Sequence, residues 1–387
     1  MEMEDYALGF NPFFADHSKQ DRRLRPDLCG LSVNIQDLPG QSLKLSKVLD
    51  RRTGIVSRAT LVYRATLEGR RDAGDVVLKS SWQHHARRSE WYVLQQLHED
   101  SRARDHIVVA YAGWEQENTS GAHRRAKFGT RASTVLDDRA LRHTVLEYLN
   151  PITKLSDPWH VPYIGWSVLK AIQFLNEKRW YHRDISIGNM GFLTLPECRG
   201  VLVKLHDFDL SKNHGSSSET PHWTGTLPFM ALGLLKHQES PHRLGYDVEA
   251  LIWCLLWIVR VYDDGKPAFN ELEDHPLRGW FRDWLSLHDL VDRKLAYLQP
   301  PTRRPFTNTF YRSLDGVMTH LAWTWAAPIR EWNNLEPSES EGPETGDGGL
   351  ANMYEDSRTV TLQTWMEERD WNRPRSPCSC GDHFADN

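Results

Sequence analysis

The sequence predicts an α+β protein whose first part is rich in β-strands and whose second part is mostly helical. Between residues 43 and 79, short runs of β-branched and aromatic residues are separated by glycines, a pattern typical of an antiparallel sheet. After Pro162 the apolar residues recur at helical spacing, and the apolar run at residues 251–259 indicates a buried helix. Together these observations favour two lobes within a chain of 387 residues.

The strands of the first part follow in order along the chain. Residues 60–66 and 75–79 predict two neighbouring strands, because β-branched residues dominate both runs. Residues 88–98 place apolar side chains at helical spacing and predict a helix. Two further strand-like runs follow at residues 106–111 and 143–148.

The second part is predicted to be helical for most of its length. Apolar residues from Ile164 to Leu175 lie on one face of a helix that ends near residue 178. A strand-like run at residues 201–205 precedes the long apolar helix, which we expect at residues 246–261.

These elements divide the chain into three predicted parts. Residues 1–44 show no strong periodicity and form an N-terminal extension. Residues 45–330 form the folded domain, with an N-lobe at about 45–148 and a C-lobe at about 149–330. Residues 331–387 are predicted to be a disordered linker and tail, because the sequence EPSESEGPETGDGG is acidic and poor in hydrophobic residues.

The composition is that of a globular protein with a large core. Hydrophobic residues make up 40% of the chain and aromatic residues 11%, which argues against disorder over most of its length. The formal net charge is only −5 at pH 7, so we expect no nucleic-acid partner. The longest apolar run is far shorter than the roughly 18 residues of a membrane span, so we expect no membrane partner either.

Cysteine usage and the N-terminal sequence predict the compartment. The five cysteines are too few and too scattered to form a disulfide framework. The sequence MEMEDYALGF lacks the basic start and the apolar run of a signal peptide. We therefore expect an intracellular protein, in the cytoplasm or the nucleus, that is not secreted.

A cluster of polar residues behind the first long helix carries the strongest functional signal. The sequence Tyr-His-Arg-Asp-Ile-Ser-Ile-Gly-Asn places Asp184 five residues before Asn189, and Asp207 follows in the sequence Asp-Phe-Asp. Phosphoryl transfer needs one carboxylate to orient the attacking hydroxyl, and it needs oxygen ligands for the Mg²⁺ that bridges the ATP phosphates. Asp184 fits the first role, and Asn189 and Asp207 fit the second.

Two charged residues upstream complete the pattern. Lys79 ends a predicted strand, and Glu90 opens the next predicted helix. This order is typical of a lysine that holds the ATP phosphates while it is paired to a helical glutamate. Taken alone, the two residues would be interpreted as an exposed ion pair of little energetic value. Taken with the downstream motifs in their order, they indicate a protein kinase.

The chain resembles the fungal-type protein kinase family, a divergent branch of the eukaryotic protein kinase fold. The resemblance spans roughly residues 45–330. It is carried by residues 182–186 with Asn189, residues 207–209, residues 225–231, and the sequence Asp-Val-Glu-Ala that begins at Asp247. It implies a bilobed protein kinase-like fold with a β-rich N-lobe and a mostly helical C-lobe.

The resemblance also implies an activity with cofactors and a partner. The γ-phosphoryl group of ATP would pass to the hydroxyl of a protein substrate, on serine or threonine rather than tyrosine, with Mg²⁺ as the metal. Lys79, positioned by Glu90, would steady the phosphates. The linker strand near Glu147 and Tyr148 would meet the adenine, and Asp247 would anchor the backbone of the catalytic loop.

Three residues depart from the family pattern. Ser57 and Ala59 stand where glycines are usual over the phosphates, and their side chains would obstruct the close approach of the backbone and its access to positive φ. Gly233 stands where a glutamate would form a salt bridge with an arginine such as Arg303 or Arg304. We expect weaker nucleotide binding from the first two changes and looser packing of the substrate loop from the third.

Two other functions stay open at this point. A pseudokinase scaffold with weak or no turnover would explain Ser57, Ala59 and Gly233. A small-molecule kinase could share the His-x-Asp-x-x-x-x-Asn loop. Residues 225–231, which in protein kinases shape a ledge for peptides, argue against the second alternative.

Overall fold

The computed structural model describes residues 29–51, 59–68, 74–116, 138–155, 160–195, 200–214, 225–236, 241–263, 266–267, 277, 280 and 286–297. The chain forms two compact units. The first unit comprises Met1–Ser101 and Val108–Tyr148, and the second comprises Arg102–Ile107 and Leu149–Asn387. The domain limits predicted at residues 44, 148 and 330 stay predictions. The predicted linker and tail, residues 331–387, lie outside the described residues.

In the described part of the first unit, six strands form one antiparallel sheet in the order β1-β2-β3-β4-β6-β5. They are β1 (Ser32–Asn34), β2 (Ser42–Arg51), β3 (Leu61–Leu67), β4 (Asp75–His84), β5 (Ala110–Glu115) and β6 (Arg139–Glu147). Side chains alternate between the two faces of a strand, and this places Leu43, Leu45, Tyr63 and Ala65 in the core. The sheet therefore begins at Ser32, within the stretch predicted to be an extension.

The helix of the first unit packs closely on the edge of this sheet. Helix α1 (Glu90–Leu97) begins at the N-cap Ser89, whose side chain accepts a hydrogen bond from the backbone N–H of Tyr92. At β5 a Cβ on Gly113 would lie 2.4 Å from Cγ of Trp91. Glycine is needed here because any larger residue would push the helix away from the strand.

Helices dominate the described part of the second unit. They are α2 (Ala103–His106), α3 (His160–Glu177), α4 (Leu232–Lys236), α5 (Leu244–Val261) and α6 (Leu287–Tyr297). Helix α5 is buried on nearly every side, with Trp253 fully enclosed, as the apolar run at residues 251–259 predicts. No helix among the described residues is long and apolar enough to cross a membrane.

Short strands connect the helices of the second unit. They are β7 (Asn150–Pro151), β8 (Trp180–Tyr181), β9 (Met190–Leu195), β10 (Gly200–Leu205), β11 (Lys212–Asn213), β12 (Tyr262–Asp263) and β13 (Lys266–Pro267). Strand β9 lies between β10 and β7, β11 pairs with β8, and β12 pairs with β13. The loops that leave these strands carry the candidate site.

The predicted α+β class is confirmed, with a strand-rich first unit and a mostly helical second unit. One predicted strand is wrong over its first residues. His106 ends helix α2, Ile107 makes only an isolated bridge to Leu205, and β5 begins at Ala110. Ile107 is apolar because it is fully buried in the second unit, and burial alone does not distinguish a strand from a short connection.

His143 makes the stability of the first unit depend on pH. Its Nδ1 lies 2.8 Å from Oγ of Ser80, and its ring stacks on Trp114 with the centroids 4.9 Å apart. Burial lowers the pKa of His143 from 6.5 to about 3. Below about pH 6.5 the unfolded chain therefore binds a proton on His143, whereas the folded chain does not bind this proton until about pH 3. Stability falls as the pH falls through this window.

We expect His143→Gln to flatten this dependence, because glutamine fills a similar space and does not titrate. Between pH 6 and pH 4 the natural chain should lose up to about 1.4 kcal/mol more per pH unit than the variant. Urea unfolding at several pH values measures the difference. His288→Gln, at a histidine whose side chain is 85% exposed, is the control. If the free energy of unfolding depends on pH in the same way for the natural chain and for His143→Gln, the expectation is wrong.

Candidate active site

Asp184 and Asn189 lie together on the loop between β8 and β9. The amide nitrogen of Asn189 donates to Oδ2 of Asp184 at 2.9 Å and to the backbone oxygen of Asp184 at 2.8 Å. The 3-10 turn Ile187–Asn189 brings the amide back to the carboxylate, and both side chains are buried. The Asp184 carboxylate is therefore held in one orientation.

The second carboxylate oxygen of Asp184 accepts a hydrogen bond from Thr226. The distance from Thr226 Oγ1 to Asp184 Oδ1 is 2.8 Å. Gly225 precedes the threonine with a φ of 140°, and a Cβ there would lie 3.4 Å from the backbone oxygen of Arg183. The sequence marks the Gly-Thr pair as part of a motif, but the contact with Asp184 was not predicted because 42 residues separate the two side chains.

Asp247 on the first turn of α5 fixes the backbone before Asp184. Its carboxylate accepts hydrogen bonds from the backbone N–H groups of His182 at 3.0 Å and Arg183 at 3.1 Å. Arg183 has a φ of 69°, a conformation that costs a residue with a Cβ about 1 kcal/mol or more. These two bonds hold the loop in that conformation, as the resemblance implies for Asp247.

His242 keeps Asp247 charged. Burial by itself would raise the pKa of the Asp247 carboxyl, but His242 and the backbone N–H of His182 hold that pKa below its ordinary value. Nε2 of His242 lies 3.0 Å from Oδ1 of Asp247. This contact was not predicted from the sequence, because a single histidine before a helix is most often solvated.

Asp207 lies directly after β10, beside the segment that carries Asn189. Its φ of 66° is in the left-handed region. The backbone N–H of His206 donates to the backbone oxygen of Asn189 at 2.9 Å, and Nε2 of His182 lies 3.1 Å from the backbone oxygen of His206. One backbone hydrogen bond and the side chain of His182 thus join the three segments around residues 182, 189 and 207.

The oxygen atoms at this place suit a divalent cation. Asn189 uses its amide nitrogen on Asp184, so its side-chain oxygen is the atom that it would offer to a metal. Asp207 offers a carboxylate. Amide and carboxylate oxygens are the ligands that Mg²⁺ prefers, so the donor set fits the predicted metal.

Lys79 and Glu90 form a buried ion pair in the first unit. The distance from Lys79 Nζ to Glu90 Oε2 is 2.9 Å, and the two side chains are 8% and 0% exposed. Lys79 lies on the central strand β4, opposite Val62 on β3 and Thr144 on β6. Glu90 is the first residue of α1, where the helix dipole stabilises a negative charge. The pair is therefore not the exposed one that the two residues alone would suggest.

The remaining predicted nucleotide residues are spread over the first unit and its border. Ser57 lies outside the described residues. Ala59 precedes β3 with a φ of 43°, so this backbone reaches positive φ in spite of its Cβ. Glu147 ends β6, and its backbone N–H donates to Val109 at 2.8 Å. The ring of Tyr148 lies 4.5 Å from the guanidinium of Arg64.

Gly233 lies buried in α4. Arg303 and Arg304, the predicted partners of the glutamate that this position lacks, are outside the described residues. Within the described part of α4, the carboxylate that meets the backbone comes from another helix: Glu249 Oε1 accepts a hydrogen bond from the N–H of Leu232 at 2.8 Å.

A family model described as fungal protein kinase matches residues 1–259 of the chain. Two curated proteins of Dictyostelium discoideum are similar to parts of it. The probable serine/threonine-protein kinase pXi is 29% identical over 123 residues, which are 32% of this chain and 17% of that protein. The probable serine/threonine-protein kinase PLK is 27% identical over 139 residues, which are 35% of this chain and 12% of that protein. The matched region is thus less than a fifth of each relative.

Two solved structures share 14% sequence identity with the chain. Vaccinia related kinase 3 has a TM-score of 0.47, with 94% of this chain and 96% of that chain covered. The kinase PK-1 of Cydia pomonella granulovirus has a TM-score of 0.40, with 60% of this chain and 74% of that chain covered.

We expect Lys79→Met to lower the free energy of unfolding by about 3 kcal/mol, because it removes the ammonium that balances a buried carboxylate. Adding Glu90→Gln removes that carboxylate charge, so the double variant should recover most of the loss. Urea unfolding of the natural chain, both single variants and the double variant gives the four free energies of unfolding that make up this double-mutant cycle. If Lys79→Met and the double variant lose the same amount, the charge of the pair does not matter for stability.

Proposed function

Because the chain belongs to the fungal protein kinase family, we propose that it transfers the γ-phosphoryl group of ATP to the hydroxyl of a protein substrate. The observation that carries the proposal is the fixed carboxylate of Asp184, with one oxygen bonded to Asn189 and the other to Thr226. A carboxylate held in this way can accept the proton of an attacking hydroxyl and orient it toward a phosphorus atom.

In this proposal the residues of the catalytic loop act on the hydroxyl. The substrate hydroxyl would approach Oδ1 of Asp184, where the hydroxyl of Thr226 now donates. Asn189 would keep the carboxylate in place during transfer. The side-chain oxygens of Asn189 and Asp207 would hold Mg²⁺, whose charge would offset that of the ATP phosphates.

The first unit would bind the nucleotide. Lys79 would steady the ATP phosphates, and Glu90 fixes its ammonium at 2.9 Å. The end of β6 at Glu147 and Tyr148 would meet the adenine. Both Dictyostelium relatives are named as probable serine/threonine-protein kinases, which supports serine or threonine as the acceptor.

A pseudokinase scaffold is the second candidate, and Ala59 is the observation that favours it. A residue with a Cβ stands at a φ of 43°, where glycine would be free of strain. Ser57 and Gly233 add to the departure from the family pattern. Against this candidate stands the buried Lys79 and Glu90 pair, because burying two charges is costly and a chain without nucleotide chemistry gains little from it.

We expect Asp184→Asn to lower the rate of phosphoryl transfer by about a thousandfold, because asparagine cannot accept the proton. The fold should persist, since the asparagine amide can still bond to Asn189 and to the hydroxyl of Thr226. Transfer of labelled γ-phosphate from ATP with Mg²⁺, to the chain itself and to a basic protein, measures the rate.

Asp292→Asn is the matched control, because this aspartate lies on the exposed side of α6. Equal turnover by Asp184→Asn and the natural chain would contradict the proposal. No transfer by the folded natural chain, together with binding of ATP, would favour the scaffold instead.

We expect Ala59→Gly to bind ATP about fivefold more tightly, a gain of about 1 kcal/mol, because removing the Cβ allows the backbone to approach the phosphates more closely. The variant should also melt at a higher temperature. Isothermal titration with ATP and Mg²⁺ measures the affinity. The control is Ala110→Gly in strand β5, which should lower the melting temperature and leave the affinity unchanged. Weaker ATP binding by Ala59→Gly would show that the Cβ of Ala59 is needed for the nucleotide.

A further inference from the structure

Two buried charged side chains hold the segment of residues 230–232 from opposite helices. Nζ of Lys294, on α6, donates to the backbone oxygen of Met230 at 2.6 Å. Oε1 of Glu249, on α5, accepts from the backbone N–H of Leu232 at 2.8 Å. Both charged side chains are 0% exposed. A hydrogen bond to a charged group is stronger than a neutral one, so the segment is bound firmly on two sides.

Tryptophans enclose the two charges. Nε1 of Trp253 donates to Oε1 of Glu249 at 3.0 Å. The ammonium of Lys294 lies 4.8 Å from the ring centroid of Trp253 and 5.3 Å from that of Trp280. An ammonium over an aromatic face is stabilised by the electron density of the ring. Glu249 and Trp253 lie one turn apart on α5, whereas Trp280 and Lys294 come from later in the chain and meet them only through packing.

Each charge compensates the other. Burial raises the pKa of the Glu249 carboxyl, and the charge of Lys294 opposes that rise. Burial lowers the pKa of the Lys294 ammonium, and the charge of Glu249 opposes that fall. Oε2 of Glu249 is buried and accepts no hydrogen bond from the described part of the chain. The carboxylate therefore depends on the nearby ammonium for the balance of its charge.

The segment of residues 230–232 is linked to Asp184 through Thr226. The backbone N–H of Met230 donates to the backbone oxygen of Thr226 at 3.2 Å. The hydroxyl of Thr226 donates to Asp184 at 2.8 Å. A Cβ on Gly225 would lie 3.0 Å from Cγ of Met230, so Gly225 also packs closely against Met230. A shift of Met230 would therefore move Thr226 relative to Asp184.

The sequence lacks a carboxylate at Gly233, one residue beyond the segment. Glu249 brings a carboxylate to Leu232, the neighbour of Gly233, and Lys294 brings the matching cation to Met230. The predicted looser packing at Gly233 is thus compensated in this structure by a pair from α5 and α6.

We propose that Glu249 and Lys294 are positioning residues for the protein substrate, which hold residues 226–232 in the conformation that a peptide meets beside Asp184. This inference rests on the proposed kinase function and adds to it the two residues that set the peptide surface. They act through Met230, Leu232 and Thr226 and touch neither nucleotide nor metal in the proposal.

The kinetic test uses Lys294→Met and the double variant Lys294→Met with Glu249→Gln. Methionine retains the packing between the tryptophans but cannot donate to Met230. We expect KM for a peptide or basic protein to rise about tenfold, the effect of losing one hydrogen bond to a charged group. KM for ATP should stay within about twofold of the natural value, because the proposal gives the pair no contact with the nucleotide.

The double variant distinguishes positioning from stability. Removing both charges should restore the melting temperature toward that of the natural chain, because no buried charge is left uncompensated. KM for the peptide should stay raised, because the donor to Met230 is still missing. If KM for the peptide returns together with the melting temperature, the role is only structural and the inference is wrong. Arg293→Met, on the exposed face of α6, should change neither quantity.

Hydrogen exchange of residues 225–236 supplies a readout that needs no transfer. We expect faster exchange at Met230 and Leu232 in both variants and natural exchange in Arg293→Met. Faster exchange in a chain that transfers phosphate, with KM for the peptide unchanged, would overturn the inference and leave the kinase function standing. Faster exchange in the two variants, together with no phosphate transfer by the natural chain, would overturn both, because the pair would then serve only the fold.

Discussion

The arrangement of the loop that carries Asp184 depends on the carboxylate of Asp247. It accepts the backbone N–H groups of His182 and Arg183, and the second of these residues is held in a left-handed conformation. A strained backbone persists only when its surroundings fix it, and a charged acceptor in a buried place does this better than a neutral one. Because α5 is buried on nearly every side, the packing of the core holds Asp247 in place. Asp184 follows the strained residue directly, so its position derives from this one interaction.

Buried charges recur wherever this chain fixes a functional segment. Lys79 with Glu90 joins β4 to α1, and Glu249 with Lys294 holds the segment that ends in α4. A buried charge contributes little net stability compared with apolar packing, but it defines a single geometry because it needs a partner for its charge or for its hydrogen bonds. We therefore interpret both pairs as devices that set positions, with the free energy of folding supplied mainly by the apolar cores around them.

Much of the fold and of the candidate site could be predicted because the signals are local. The apolar run of α5 and the alternating strands follow from periodicity, and the order of Lys79, Asp184 and Asp207 follows from their motifs. The strand predicted at residues 106–111 was wrong over residues 106–109, because Ile107 is buried without joining a ladder and β5 begins at Ala110. Lys294 was not predicted at all, because a lysine on an amphipathic helix is normally exposed.

The sequence by itself determined the class of fold, the family and the residues that can carry the chemistry, since these depend on residue type and on spacing along the chain. Only the tertiary structure decided which groups meet. The hydroxyl of Thr226 reaches Asp184 across 42 residues, and the ammonium of Lys294 reaches Met230 across 64. Such contacts are set by how α5 and α6 pack, and packing depends on the shapes of many side chains at once. Local patterns therefore do not encode them.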